Sequence, residues 1–276
     1  MILALYLALF VAWLTVPLGS LALLALHRMF GGTWGRLAEP VLVRACRLLP
    51  VTGVLFLPVL IWLDVLYPWA RPGWEGQGGK AVWLSEPFFI GRAVFYFVAW
   101  IAAERFLLRP GQGMAPAVVA LTVFTLTASL AGVDWVMTLD PEFNSSIFGL
   151  WFMSQLVVGA LAFVTAACLL RGPPPKEWKS FAAVLLAATM LWAYLGFTQF
   201  LVIWSTDLPH EVVWYLDRSG GMWTGVLWLI GLAHGAILLL LMTVARHIRV
   251  ILAGVAVLLV VLRVVEAAWM VVPVVG

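Results

Sequence analysis

The chain has 276 residues, of which 64% are hydrophobic and only 11% are charged. A soluble protein of this length cannot bury so much apolar surface, whereas a polytopic membrane protein exposes it to lipid. The net charge of +3 gives no reason to expect a nucleic-acid partner. Cys46 and Cys168 have no partners at metal-ligand or haem-attachment spacing, so the sequence predicts no zinc, iron–sulfur or c-type haem site.

Eight apolar runs are long enough to form transmembrane helices, so the predicted fold is an all-α polytopic membrane protein. They cover about residues 2–27, 50–67, 87–108, 115–138, 146–170, 179–204, 222–245 and 248–273. The second run is short, and we expect residues 35–49 to extend it as a kinked helix at the membrane surface. The first run follows Met1 without a basic segment or a cleavage site, which predicts a first span rather than a signal peptide.

Basic residues are unevenly distributed between the predicted loops. The odd-numbered loops hold Arg28, Arg36, Arg44, Arg47, Arg105, Arg109, Arg171, Lys176, Lys179, Arg246 and Arg249, whereas the even-numbered loops hold Arg71, Lys80 and Arg218. The positive-inside rule therefore places the odd loops in the cytoplasm and both termini outside. Loops two and six, about 68–86 and 205–221, are long and rich in Trp, Pro and Gly, so we expect them to fold onto the protein or to dock a partner.

This topology predicts two four-helix transmembrane bundles, residues 1–138 and 139–276. Each half would begin outside, run in the same direction and carry a long loop between its second and third helices. The division depends on hydropathy and loop placement, because the two halves share no clear sequence identity.

Ionisable residues inside the apolar runs are the candidate functional residues, since a buried charge in a membrane is costly unless it is paired or hydrated. Asp134 lies near the outer end of the fourth helix, and Arg92 lies at a similar depth on the third. If the helix faces converge, Asp64 of the second helix joins them in an outer-half cluster. In the second half, Arg263 and Glu266 share one helix face through their i,i+3 spacing.

These residues fit two interpretations. A proton path needs a series of exchangeable groups. The candidates in this protein are Asp64, Asp134, Tyr194, Gln199, His234 and Glu266, with Arg92 and Arg263 as charge partners. The structural interpretation is equally open. Both Arg–carboxylate pairs could be static ion pairs, His234 could be bonded to a carbonyl, and Tyr194 and Gln199 could hold helices together.

Four sequence blocks resemble a known family. They are residues 134–141 with 145–149 (DWVMTLDP and SSIFG), residues 192–204 with 209–214, residues 66–72 (LYPWARP), and the C-terminal segment that holds Glu266, Trp269 and Pro273. In their order along the chain they are similar to the ActF-type membrane subunit of bacterial alternative complex III, one of the NrfD/polysulfide-reductase membrane-anchor proteins. The chain departs from the family in having fewer N-terminal helices, Arg263 where a histidine is usual, and Asp64 without an adjacent histidine.

The resemblance implies an inner-membrane subunit of a quinol-oxidising electron-transfer complex, without a redox centre or a covalently bound cofactor of its own. The quinone would be menaquinone or ubiquinone, with lipids around the subunit. The implied partners are a multihaem cytochrome c, an Fe–S protein and paralogous NrfD-like membrane subunits. In this context the termini would lie in the periplasm, and the subunit would contribute to a proton path.

Two other hypotheses stay open. The chain itself could bind quinol in its first bundle, in a pocket near Asp64 lined by Trp62 and Trp69. Alternatively, it could be a structural scaffold that anchors peripheral redox subunits through its long outer loops, in which case replacing loop-six residues such as Trp214 should impair assembly. A secondary transporter would need helices broken by Gly or Pro at mid-membrane, and none is obvious.

Overall fold

The computed structural model describes residues 1–76, 78–111, 113–171 and 175–275, without the side chains of residues 175–177, which include Lys176. The helices are α1 (Ile2–Phe30), α2 (Thr33–Cys46), α3 (Leu49–Ile61), α4 (Leu63–Leu66), α5 (Gly79–Trp83), α6 (Glu86–Leu107), α7 (Ala115–Trp135), α8 (Phe148–Leu169), α9 (Pro175–Thr206), α10 (Pro209–Asp217), α11 (Met222–Met242) and α12 (Arg249–Val275). Two short 3-10 helices, Pro68–Ala70 and Met137–Leu139, follow α4 and α7.

Seven of these helices are long and apolar enough to cross a membrane, and the bent pair α2–α3 makes an eighth span if it is counted as one. The prediction of an all-α polytopic membrane protein is confirmed. The pair bends by 44° at its break, so the expected kink in the second span is also present. With 13 residues, α3 is too short to cross a bilayer alone.

The centre of the protein is the packing of α1 against α8, which rests on small residues. A Cβ added to Gly19 of α1 would lie only 2.7 Å from the Cβ of Ala160 and would also collide with the Leu156 carbonyl. Gly159 of α8 is similarly close to Thr15 and to the Arg263 side chain of α12. Small residues let membrane helices approach closely and gain van der Waals contact.

The helices of the two predicted halves pack extensively on each other. Helix α1 contacts α8 and α12, α7 contacts α8, and α2 contacts α8 and α9. One continuous core of buried apolar residues extends from α1 to α12. The division at residue 138 remains a prediction. Helices α9 and α11 lie at the periphery, where most of their apolar side chains are exposed or only partly buried.

Both long loops fold back onto the protein. Loop two contains α5, whose Trp83 reaches the buried carboxylate of Asp134. Loop six contains α10, whose Trp214 is fully buried and stacks on Phe143 at a ring-centroid distance of 4.6 Å. The side chain of Trp214 thus packs inside this chain, and the scaffold hypothesis stays a prediction.

Candidate functional site: two buried charge clusters

Asp134, near the end of α7, has its carboxylate surrounded by hydrogen-bond donors. Arg92 of α6 donates from Nε to Oδ2 at 2.8 Å and from Nη2 to Oδ1 at 2.9 Å. Tyr96, one turn further along α6, donates its hydroxyl to Oδ2 at 2.7 Å. The indole of Trp83 donates to Oδ1 at 2.9 Å. Each carboxylate oxygen thus accepts two hydrogen bonds.

The guanidinium of Arg92 is held equally firmly. Its Nη1 donates to the Trp83 carbonyl at 2.9 Å. Its Cζ lies 4.1 Å from the ring centroid of Trp83 and 4.5 Å from that of Phe88, so the cation is enclosed by aromatic rings. Asp64 does not join this pair, because its side chain is exposed and only its backbone carbonyl is engaged, by Arg71. The expected three-residue cluster is therefore a bidentate pair supported by two aromatic donors.

The hydrogen bonds around Asp134 are those that a carboxylate accepts. Four donors stabilise the charged form of a carboxylate, and a protonated carboxyl would place its own hydrogen against one of them. Arginine cannot relay a proton at neutral pH. The geometry matches the structural interpretation of this pair, a lock between α6 and α7 to which α5 is attached.

The second cluster lies around Glu266 on α12. Arg263 donates from Nη1 to Glu266 Oε2 and from Nη2 to Gln155 Oε1 of α8, the latter at 3.4 Å. His234 of α11 places its Nε2 3.4 Å from Glu266 Oε1, within ion-pair distance. These four side chains are at least nine-tenths buried, so three helices direct their polar groups into one apolar interior.

The contacts of His234 assign a hydrogen to only one of its two ring nitrogens. Its Nδ1 lies 2.9 Å from the Ile230 carbonyl, which can only accept, so Nδ1 carries a hydrogen. In a neutral ring, Nε2 would then present a lone pair toward the Glu266 carboxylate. A favourable contact needs one more proton, on Nε2 or on Oε1. The indole of Trp192 stacks on the imidazole at a centroid distance of 3.8 Å.

An aromatic pocket adjoins Glu266. It has a volume of about 180 Å³ and is bounded by α8, α9, α11, α12 and the end of α10. Its residues are Trp151, Gln155, Trp192, Gly196, Phe200, Tyr215, Leu227, Ile230, Gly231, Glu266, Trp269 and Met270. Phe200 of α9 and Gly231 of α11 are exposed, so the pocket reaches the apolar surface between these two helices.

Other predicted residues lie away from both clusters. Tyr194 is 65% exposed on α9, so its hydroxyl points to the protein surface and not to His234. Gln199 is buried and accepts a hydrogen bond at 2.6 Å from Ser145, which lies in the loop before α8, so it joins α9 to that loop. For the predicted quinol site, Trp62 is 45% exposed, whereas Trp69 is buried against Tyr67 and Phe89.

The sequence reasoning missed several partners of the buried acids. Tyr96 follows Arg92 by four residues, so its position on the same helix face was a usable signal. Gln155 is the one amide inside the predicted fifth span, another available signal. Trp83 and Trp192 carried no such signal, because a tryptophan in a loop or an apolar helix resembles any other membrane anchor.

A third buried charge, Arg218, lies outside the spans in the α10–α11 loop. Its Nε and Nη2 donate to the Met270 carbonyl at 3.0 and 2.9 Å, and its Nη1 donates to the Trp214 carbonyl at 2.8 Å. Burial lowers the pKa of Arg218 to about 9, although the nearby carboxylates of Asp140 and Asp217 oppose this shift. Burial also raises the pKa of Asp140. Arg218 thereby ties loop six to the last turns of α12, where carbonyl dipoles favour a cation.

Comparisons with protein-family models and with curated proteins found no match to this chain. Within residues 1–76, 78–111, 113–171 and 175–275, no group of His, Cys, Asp and Glu side chains is arranged to hold a metal ion.

Proposed function

We propose that this protein is a membrane subunit of a quinol-oxidising electron-transfer complex and that it contributes a proton-exchanging group in place of a redox centre. The observation that carries the proposal is the 3.4 Å contact between Glu266 Oε1 and His234 Nε2, which a single proton on either atom would turn into a hydrogen bond. The resemblance to the ActF-type subunit of alternative complex III supplies the electron-transfer context. That context implies the bacterial inner membrane and a multihaem cytochrome c with an Fe–S protein as partners.

The surroundings of Glu266 support proton exchange. Arg263 neutralises the carboxylate without titrating itself, so the net charge of the cluster changes only when the His234–Glu266 pair gains a proton. Burial of all three residues makes that change sensitive to any charge or ligand nearby. The adjoining pocket connects the pair to the surface between α9 and α11.

The first cluster supports a second role, that of a structural scaffold. Asp134 has four donors on its two oxygens and therefore no vacant proton position. We assign it to the static lock between α6 and α7, with Trp83 holding loop two in place. On this assignment the two acids have different functions, although both face an arginine.

Substitution of the two acids in the assembled complex tests these roles. The full chain is tagged in its native membrane, and the purified complex is assayed for haem, iron–sulfur, quinol turnover and proton release. We expect Glu266→Gln to assemble normally but to lose at least tenfold in proton-coupled turnover, as typical for a lost acid–base group. Asp134→Asn should lower the yield of assembled complex and leave the turnover per complex unchanged.

Two results would contradict the proposal separately. Recovery of the tagged chain without a haem protein or an Fe–S protein would refute the electron-transfer context. Full turnover and proton release by Glu266→Gln would refute the proton-exchanging role of the pair. His234→Phe is the companion variant, because it removes the same proton position while keeping an aromatic ring against Trp192.

A further inference from the structure

Two cavities beside α1 join into one groove on the outside of the protein. The first is bounded by α1, α2 and α8 and has a volume of about 350 Å³. The second is bounded by α1, α8 and α12 and has a volume of about 250 Å³. Val16 of α1 and Phe163 of α8 line both cavities, so the two adjoin. Leu9 and Val264 of the second cavity are exposed, so the groove opens onto the apolar surface.

The length of the groove matches one leaflet of a bilayer. Along α8 the first cavity extends from Arg171 to Phe163, and along α1 the second extends from Val16 to Leu9. At a helical rise of about 1.5 Å per residue, the two stretches together cover about 22 Å. One leaflet with its headgroup region is about 20–22 Å thick. The groove is therefore long enough for one lipid molecule that extends from the membrane surface to the midplane.

The surface end of the groove is basic. Arg44 on the last turn of α2 and Arg171 just after the end of α8 line it. Both residues are exposed, and none of the ion pairs that the described residues form involves either guanidinium. No acidic side chain is among the described residues that line the two cavities. An anion at this end would therefore face two arginines from two different helices.

The inner end of the groove is apolar apart from two residues whose polar groups are engaged elsewhere. Thr15 donates its hydroxyl to the Ala12 carbonyl at 2.7 Å. Arg263 directs its Nη1 to Glu266 and its Nη2 to Gln155, inside the protein. The remaining lining of this cavity is aliphatic or aromatic, with one glycine on α8. Such a wall is suited to a hydrocarbon chain.

We propose that the groove binds an anionic glycerophospholipid, with its phosphate between Arg44 and Arg171 and one acyl chain along α1 toward Arg263. Guanidinium groups bind phosphate through paired hydrogen bonds, and basic pockets between membrane helices select anionic headgroups. A transmembrane helix of another subunit is about 10 Å wide and too thick for cavities of this volume. The bound lipid would join the kinked second span to α8 at the basic end of the protein.

Titration of the delipidated full chain in detergent tests this site, with native mass spectrometry counting the bound lipids. The probes are phosphatidylglycerol and phosphatidylethanolamine with the same acyl chains. We expect the first phosphatidylglycerol to bind about tenfold more tightly, since an arginine beside an anionic headgroup contributes about fivefold in affinity. Arg44→Gln and Arg171→Gln should each weaken its binding about fivefold. Arg36→Gln is the matched control, because Arg36 is exposed on α2 but does not line the groove.

A second variant fills the groove without removing a charge. Ala167→Leu on α8 places a larger side chain between the basic end and the apolar end, so it should weaken binding of both lipids. Ala187→Leu makes the same change at an exposed position of α9 and should bind like the unmodified protein. Melting temperatures measured without added lipid should be equal for all variants, which separates loss of the lipid from loss of the fold.

Several outcomes would overturn the assignment. Equal affinity for the two lipids would show that the arginines do not select the headgroup. Unchanged binding by Ala167→Leu, or a loss that Arg36→Gln shares, would show that the lipid lies elsewhere on the basic end. A second copy of the chain that excludes the lipid would assign the groove to a protein contact. The assay involves no turnover, so its result is independent of the proposed function.

Discussion

Asp134 and Glu266 are both buried carboxylates beside an arginine, yet their surroundings give them different chemistry. Asp134 receives four hydrogen bonds, two on each carboxylate oxygen, including contacts of 2.8 and 2.9 Å from Arg92. Glu266 receives a hydrogen bond on Oε2 only, and its Oε1 faces an imidazole nitrogen. A carboxylate with all its donors supplied stays charged, whereas one that shares a proton position can exchange it.

The Arg92–Asp134 pair yields a prediction at the scale of single residues. Removing one partner leaves an uncompensated buried charge, so Arg92→Met and Asp134→Leu should each destabilise the protein by about 3–5 kcal/mol. The double variant should be more stable than either single variant, since no charge then remains buried. Thermal unfolding of the purified protein in detergent measures the cycle. Additive losses in the double variant would contradict the assignment of this pair as a lock.

At the scale of elements, the close approach of α1 and α8 organises the interior. Small residues bring these two helices together along a seam formed by Thr15, Gly19, Gly159 and Ala160, and α12 packs on both helices. Arg263 of α12 extends past Gly159 toward Gln155, so the polar cluster depends on the same seam. Because hydrocarbon and protein interior are equally apolar, van der Waals fit at such seams, and not hydropathy, selects the packing of membrane helices.

Two glycine-to-alanine substitutions test the seam. Gly19→Ala adds a Cβ 2.7 Å from the Ala160 Cβ, so α1 and α8 must move apart, at a cost of about 1–3 kcal/mol. Gly91→Ala on α6 makes the same change where nothing lies within 4 Å, and it should be neutral or slightly stabilising. Melting temperatures of the two variants in the same detergent provide the comparison. Equal melting temperatures would show that the seam tolerates an added methyl group.

At the scale of the whole molecule, the two ends of the protein differ in composition. Basic residues collect near the end where α1 meets α2 and α6, as in the contacts of Arg28 with Glu39 and with the Leu107 carbonyl. The opposite end holds α5 and α10, together with both clusters in the nearby halves of their helices. From the positive-inside rule we predict that the basic end faces the cytoplasm, in which case both clusters would lie in the outer half of the membrane.

Cysteine labelling tests this orientation. Gly220→Cys lies in the exposed α10–α11 loop, and Met114→Cys lies in the exposed α6–α7 loop, while Cys46 and Cys168 are buried and should react little. In intact cells a membrane-impermeant maleimide should label Gly220→Cys and leave Met114→Cys unlabelled until the membrane is opened. The reverse pattern would invert the predicted topology and place the pocket in the cytoplasmic half.

The sequence was sufficient to predict the class of protein from its composition, and the approximate spans with the kinked second span from the lengths of the apolar runs. It was also sufficient to predict the pairing of Arg263 with Glu266, because this pairing depends on spacing within one helix. It also identified Arg92 and Asp134 as candidate partners from their depth. The sequence could not predict how each helix is rotated about its own axis, since an apolar helix in a membrane carries no polar face to mark its exposed side. That rotation turns Tyr194 outward, separates Asp64 from Asp134, brings His234 to Glu266 and opens the aromatic pocket. These arrangements come from tertiary packing, because close contact between small and aromatic side chains, not hydropathy, determines which helix faces meet.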